Sequence, residues 1–328
     1  MERRGNYDLL RIVAQFFVVV LHVSSSVVAN PSDPEFFSYN FYSMLSRFSV
    51  PVFVMLSGYF NLESMDVKKA FKKSLKLYII ILFWSLIYLL KSLHINEAMT
   101  LKDILNEMFL GHYHMWFLFM TIGLYLLTPI LAPAFKDLKN AEYFLILGLV
   151  FSVIPATLKI VMRERFIRTF TLSFIDGFYF KMTGGFILYY VLGYYLGHKD
   201  IKHKGLWIAL GVIAMAWSIF MQYEKNLGQD TLIYGYYDVM GIFAYLFSAA
   251  VFLIFKDLKV ESTFVSKLSS LTLGIFLIHD LFIGHVGNFV GDVNGFIKVP
   301  MVSIVVFIIS AAVIWLLKQI PVVKDHLV

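Results

Sequence analysis

Apolar runs long enough to cross a bilayer constrain this chain more than any other feature. Ten can be read, at 9–28, 42–61, 75–94, 114–134, 142–162, 183–198, 205–223, 238–256, 271–291 and 299–318. Each is near the ~20 residues a helix needs to span the hydrocarbon core. Backbone amides find no water there, so they must be satisfied within helices. The expected fold is therefore all-α, a polytopic membrane helix bundle of about ten transmembrane helices. With 59% of its residues hydrophobic and only 15% charged, the chain is excluded from the soluble globular class. The run at 183–198 is short and rich in glycine (Gly184, Gly185, Gly193, Gly197), a composition that permits close helix packing. No loop is long enough for a separate domain and no repeated halves are visible, so residues 1–328 read as a single domain with no appended soluble domain. Arg3 and Arg4 lead straight into the first run, without the short apolar core and small-residue cleavage site of a signal peptide, so a retained first helix is expected. The absence of cysteine excludes disulfides and thiol catalysis.

Orientation follows from the positive residues. Lys68, Lys69, Lys72, Lys73 and Lys76 lie between the second and third runs, and Lys136, Lys139, Lys199, Lys202, Lys204, Lys256, Lys259 and Lys267 lie in later alternate loops. With Arg3 and Arg4 they fall on one side, which predicts both termini in the cytoplasm and a multi-pass protein of the plasma membrane. Lys159, Arg163, Arg165 and Arg168 break the pattern, placing a basic loop on the outer face. Such a loop is suited to an anionic glycan or lipid phosphate, or to ordinary head-group contact.

The first run carries the most informative side chains. Arg11 and His22 are eleven residues apart, just over three helical turns, so both point the same way about 16 Å apart along the axis. Asp8 is placed to hold the guanidinium by an ion pair. An ionisable residue inside a membrane segment is a functional candidate by default; the competing reading is an arginine that snorkels to head groups and a histidine bonded to a neighbouring helix.

Three further stretches are more specific than hydropathy. The second run holds Arg47 and then Pro51-Val52-Phe53-Val54-Met55-Leu56-Ser57-Gly58-Tyr59-Phe60; the fourth opens His114-Met115-Trp116-Phe117-Leu118; the ninth contains Gly274-Ile275-Phe276-Leu277-Ile278-His279-Asp280. With the Arg11–His22 spacing, these segments resemble, in order and over nearly the whole chain, the integral-membrane acyltransferase family 3. Where relatives often carry an Arg-x-Arg pair entering the third helix, this chain has Lys72-Lys73-Ser74-Leu75-Lys76. Lysine keeps the charge but loses the bidentate fork that suits phosphate.

The resemblance implies transfer of a short acyl group, usually acetyl, from a coenzyme A thioester to a hydroxyl of a cell-surface glycan or glycolipid in a bacterial envelope. Acyl-CoA would then be a co-substrate, with no tightly bound cofactor, no metal and no nucleic acid expected. His22, Arg11, His114 and Arg47 become the catalytic candidates, with His22 as general base. Arg11, Lys72, Lys73, Lys76, Ser57 and Tyr59 become candidates for the donor, and Trp116, His279, Arg163, Arg165 and Arg168 for the acceptor. A covalent acyl relay and direct transfer both stay open, as do a succinyl donor and a separate acceptor or polysaccharide-synthesis partner protein. The alternative is a transporter or exporter of a polysaccharide or lipid-linked glycan intermediate; the lack of repeats and of paired deep acidic residues speaks against it.

Overall fold

The structure, a computed structural model, describes residues 4–28, 30–95, 98–162 and 184–320, with 169, 172–173 and 177–178 between. The basic-loop residues Arg163, Arg165 and Arg168 lie outside the described residues. The fold is a polytopic helical bundle. Its helices are α1 (Gly5–Val28), α2 (Phe36–Leu45), α3 (Ser49–Asn61), α4 (Val67–Ile95), α5 (Leu101–Leu110), α6 (Trp116–Phe135), α7 (Leu138–Gly148), α8 (Ile154–Val161), α9 (Phe186–His198), α10 (Lys204–Asn226), α11 (Ile242–Lys256), α12 (Thr263–Ser269), α13 (Thr272–Ile278), α14 (Asp280–Val290) and α15 (Gly295–Leu317).

Among the described residues six helical stretches are long and apolar enough to cross a membrane, and α13 with α14 makes a seventh if that bent pair is one span. Three of the expected runs take other forms. The run at 42–61 is split by a tight turn at Ser46–Phe48, that at 183–198 yields a helix of 13 residues, and that at 238–256 one of 15. Large apolar side chains such as Leu90, Ile130, Trp217 and Phe289 point outward, as expected where the solvent is lipid.

Side-chain bonds sort the helix ends into two groups. At one end, Asn6 at the start of α1 donates to the carbonyls of Phe255 and Lys256 at the end of α11, Lys204 pairs with Asp257, and Lys318 donates to the Ser270 carbonyl. At the other, Glu35 before α2 accepts from the Gly295 amide at the start of α15, and Tyr42 donates to the Phe296 carbonyl. The alternate-loop lysines gather at the first, here termed the lysine end, as the charge rule requires of one membrane face. The second is the histidine end.

Two apolar clusters fill the bundle. One joins α1, α3, α9 and α11 through residues such as Tyr7, Met55, Tyr190 and Phe252; the other joins α4, α6 and α13 through Trp84, Tyr88, Leu118 and Ile275. In the first, α3 and α9 pack backbone to backbone. A Cβ built on Gly58 lands on the Tyr190 carbonyl oxygen, and one on Gly193 lands on the Met55 backbone. No neighbouring side chain can yield there, so Gly58→Ala is expected to cost at least the ~1–3 kcal/mol of an overpacked core. A thermal unfolding midpoint in detergent equal to wild type would contradict that packing.

The bend between α13 and α14 is 65°, and its cause is local. His279 Nδ1 donates to the Phe276 carbonyl at 2.7 Å, and Tyr88 from α4 donates to the Leu277 carbonyl at 2.9 Å. In an unbroken helix those carbonyls would receive Asp280 and Leu281 amides. Side chains that enter the ladder bend the helix, and this bend turns His279 and Asp280 toward α1.

Candidate functional site

Helical periodicity places Arg11, Gln15, Val18 and His22 on one face of α1. The Arg11–Asp8 pair forms at 3.1 Å, and Asp8, itself buried, also accepts from Ser269 at 2.8 Å and Ser266 at 3.3 Å. The guanidinium lies over the Phe60 ring, 4.7 Å from its centroid. Arg11 is therefore held in place by α3 and α12 rather than left to snorkel.

A cavity of about 260 Å³ follows this face, between Arg11, Gln15 and Val18 on one wall, Leu56, Ser57 and Asn61 on another, and Phe117, Tyr125 and Phe276 opposite. It occupies the seam between the two apolar clusters. Lys73 reaches its lysine end, donating to Asn61 Oδ1 at 2.5 Å and lying 5.4 Å from the Tyr125 ring centroid. Its far end is Val18, one helical turn short of His22.

Beyond Val18 a knot of rings converges from α1, the junction of α13 and α14, and one turn. His22 lies 4.9 Å from His279 and 6.0 Å from His114 between ring centroids, and His114 lies 5.4 Å from His279. The turn Tyr113–Met115 ahead of α6 supplies Tyr113 as well as His114. Tyr113 Oη donates to Asp280 Oδ1 at 2.7 Å and lies 3.1 Å from His22 Nδ1. A carboxylate only accepts, so the phenol proton goes to Asp280 and the phenol oxygen accepts from His22. That assigns the Nδ1–H tautomer to His22 and leaves the lone pair on Nε2. By the same reasoning the Phe276 carbonyl holds the proton of His279 on Nδ1, so its buried and unpartnered Nε2 is also an acceptor. The arrangement offers a neutral imidazole base whose orientation is fixed by a hydroxyl and a carboxylate behind it.

The sequence-predicted residues separate into groups. Arg11, Ser57 and Lys73 meet at the cavity mouth, whereas His22, His114 and His279 meet at the histidine end. Arg47 sits at the break between α2 and α3, donating to Ser43 Oγ at 3.3 Å and lying over the Tyr237 ring, with its buried Nε unpartnered. Tyr59 packs between Tyr7 and His198 rather than on the cavity wall, Lys72 and Lys76 are exposed on α4, and Trp116 is half-exposed beside Phe186. Gln15, Asn61, His112, Tyr113, Tyr125 and Asp280 were not singled out. His112 flanks a motif histidine and Asp280 follows another directly, which is the signal that could have drawn them in.

His112 Nδ1 lies 3.0 Å from His114 Nδ1 and 3.8 Å from Asp280 Oδ2. The three ligand atoms lie within 4.8 Å of one another, so two imidazoles and a carboxylate could hold a divalent cation here, although no metal was expected from the sequence.

Residues 4–318 match the family model described as an acyltransferase domain, the third acyltransferase family. No curated protein and no solved structure matches the chain.

Proposed function

From the premise that the chain belongs to acyltransferase family 3 and is a membrane acyltransferase, we propose that it moves an acyl group, acetyl foremost, from acyl-CoA on the cytoplasmic side to a hydroxyl of a cell-surface or exported glycan or glycolipid. The observation that carries this reading is the alignment on one face of α1 of Arg11, a cavity that runs as far as Val18 and, one turn beyond, an imidazole oriented by Tyr113 and Asp280. The lysine end is the cytoplasmic face of the bacterial plasma membrane, and the histidine end faces the acceptor.

In this reading the phosphates of the donor rest on Arg11 and Lys73, with Lys72 and Lys76 attracting it to the mouth. The cavity takes the pantetheine arm, and the thioester reaches the level of His22. Nε2 of His22 takes the proton of the acceptor hydroxyl as its oxygen attacks the thioester carbon. The tetrahedral intermediate places negative charge on the former carbonyl oxygen, for which Arg47, with an unpartnered Nε–H, is the donor. Collapse breaks the carbon–sulfur bond, the His22 proton goes to the leaving thiolate, and the products are an ester and CoA. His114, His279 and Trp116 border the acceptor, and the basic segment with Arg163, Arg165 and Arg168 draws it in.

The direct test supplies radiolabelled acetyl-CoA to purified protein in lipid vesicles with glycan acceptors; label is expected in an alkali-labile ester. No label with any acceptor, together with no binding of acetyl-CoA, would contradict the reading. Tyr113→Phe removes the acceptor that fixes the His22 tautomer while preserving the ring. It is expected to lower kcat by about ten- to hundredfold, the order expected from a slightly misplaced reacting group, with the donor KM unchanged. A Tyr113→Phe enzyme with wild-type kcat would remove Tyr113 from the chemistry.

A further inference from the structure

Gln15, on the same face of α1 as Arg11 and His22, takes no part in the chemistry above. It is fully buried, and neither its Oε1 nor its Nε2 has a hydrogen-bond partner. A carboxamide left in that state inside a membrane bundle costs roughly 1–3 kcal/mol, so such groups are rare in native interiors unless a ligand completes them.

The surroundings say what kind of ligand. Seven polar side chains line the cavity beside α1, and six are already engaged. Arg11 is paired with Asp8, Asn61 bonds Lys73 and donates to the carbonyl and hydroxyl of Ser57, Tyr125 lies against the Lys73 ammonium, and the hydroxyls of Thr121 and Thr272 donate to the Phe117 and Ser269 carbonyls. Gln15 is the seventh, and it alone lines the cavity with both polar atoms buried and unpartnered. At about 260 Å³ the space falls below the ~300–1,000 Å³ of ordinary small-molecule pockets. Its course along α1, from Arg11 past Gln15 to Val18, suits a thread-like chain. A neutral group that both donates and accepts is complementary to a secondary amide, whose carbonyl and N–H can bond the carboxamide in return.

We propose that Gln15 is a binding residue for an amide of the pantetheine arm, pairing with the outer of its two amides as the arm threads from Arg11 to His22. This rests on the acyl-CoA reading above and names a subsite within it. The register agrees. Gln15 is one turn, about 6 Å, above Arg11 and about 10.5 Å below His22. The inner amide stands too near the thioester to reach Gln15 when the acyl carbon is at His22, while the outer amide stands at that level. Pairing turns the cost of the buried carboxamide into selectivity for a donor that carries the amide.

The test compares purified wild-type protein with Gln15→Leu, which keeps the side-chain volume close and removes both polar atoms. Affinities for acetyl-CoA and for 3′-phospho-ADP are measured, since 3′-phospho-ADP, written ADP below, carries the base and phosphates of the head but no amide, and thermal midpoints are recorded without ligand. Gln15→Leu is expected to weaken acetyl-CoA binding about five- to hundredfold, the range for one or two lost hydrogen bonds. ADP binding should not change, and the ligand-free midpoint should equal or exceed that of wild type. Unchanged acetyl-CoA affinity would overturn the inference and leave the acyl-CoA reading intact. A lowered midpoint with parallel loss of ADP would overturn it by giving Gln15 a structural role. A wild-type protein that binds no acetyl-CoA would overturn both.

Discussion

Replacing His22 by alanine is expected to lower acyl transfer by about 10²–10⁴-fold, the usual contribution of a positioned general base, while donor binding and the unfolding midpoint stay near wild type. The midpoint is expected to hold because His22 touches other rings and Tyr113 but anchors no helix pair by itself. His22→Gln tests the chemistry more narrowly, since a carboxamide retains a donor toward Tyr113 and has no basic nitrogen. It should be as inactive as the alanine variant. Activity in His22→Gln within a few-fold of wild type would reduce the imidazole to a packing residue, and the histidine end would need another base.

Arg11→Gln has the second large effect, and on a different parameter. Loss of the guanidinium at the cavity mouth is expected to raise the KM for acyl-CoA by about ten- to hundredfold, the value of hydrogen bonds to a charged group. kcat at saturating donor should change far less, because Arg11 lies at the mouth and the acyl group reacts three turns away. The fold should survive. The Asp8–Arg11 pair is about a third exposed on the arginine side, so it contributes at most ~1 kcal/mol, and Asp8 retains the Ser266 and Ser269 hydroxyls. Asp8→Asn keeps those contacts and the mouth cation, so a KM near wild type in Asp8→Asn beside a raised KM in Arg11→Gln would assign the effect to the cation itself. Equal effects in both variants would mean that the pair serves structure.

Much of this site was legible in the sequence, and what escaped did so for physical reasons. The Asp8–Arg11 pair and the shared face of Arg11 and His22 follow from helical periodicity within one long apolar run, which is local information. The motif histidines His114 and His279 do converge on His22. Tyr113 and Asp280, which fix its tautomer, escaped because their meeting depends on the bend at His279. That bend requires Tyr88 to take the Leu277 carbonyl from another helix, 189 residues away in the chain, and no local pattern encodes it. Gln15 is readable as one polar residue in an apolar helix, but its lack of a partner emerges only once six other polar groups of the cavity have found theirs. The spans at 42–61, 183–198 and 238–256 differ from straight full-length helices because hydropathy measures composition, whereas the turn at Ser46–Phe48 and the glycine-to-backbone crossing of α3 on α9 are set by neighbours. Tyr59 illustrates the converse: a motif residue beside Ser57 and Gly58, it faces Tyr7 and His198, because adjacent residues on a helix point in different directions.

In the proposed mechanism one helix face joins a donor mouth at the lysine end to a base at the histidine end, so that acyl donor and acceptor meet from opposite sides of the membrane. The most direct measurement uses protein inserted in one known orientation in sealed vesicles, with labelled acetyl-CoA and glycan acceptor each confined to a chosen side. Labelled ester is expected when the donor is on the lysine side and the acceptor on the histidine side, and none when the two are exchanged. Equal ester formation in both arrangements, or formation only when donor and acceptor share a side, would contradict it.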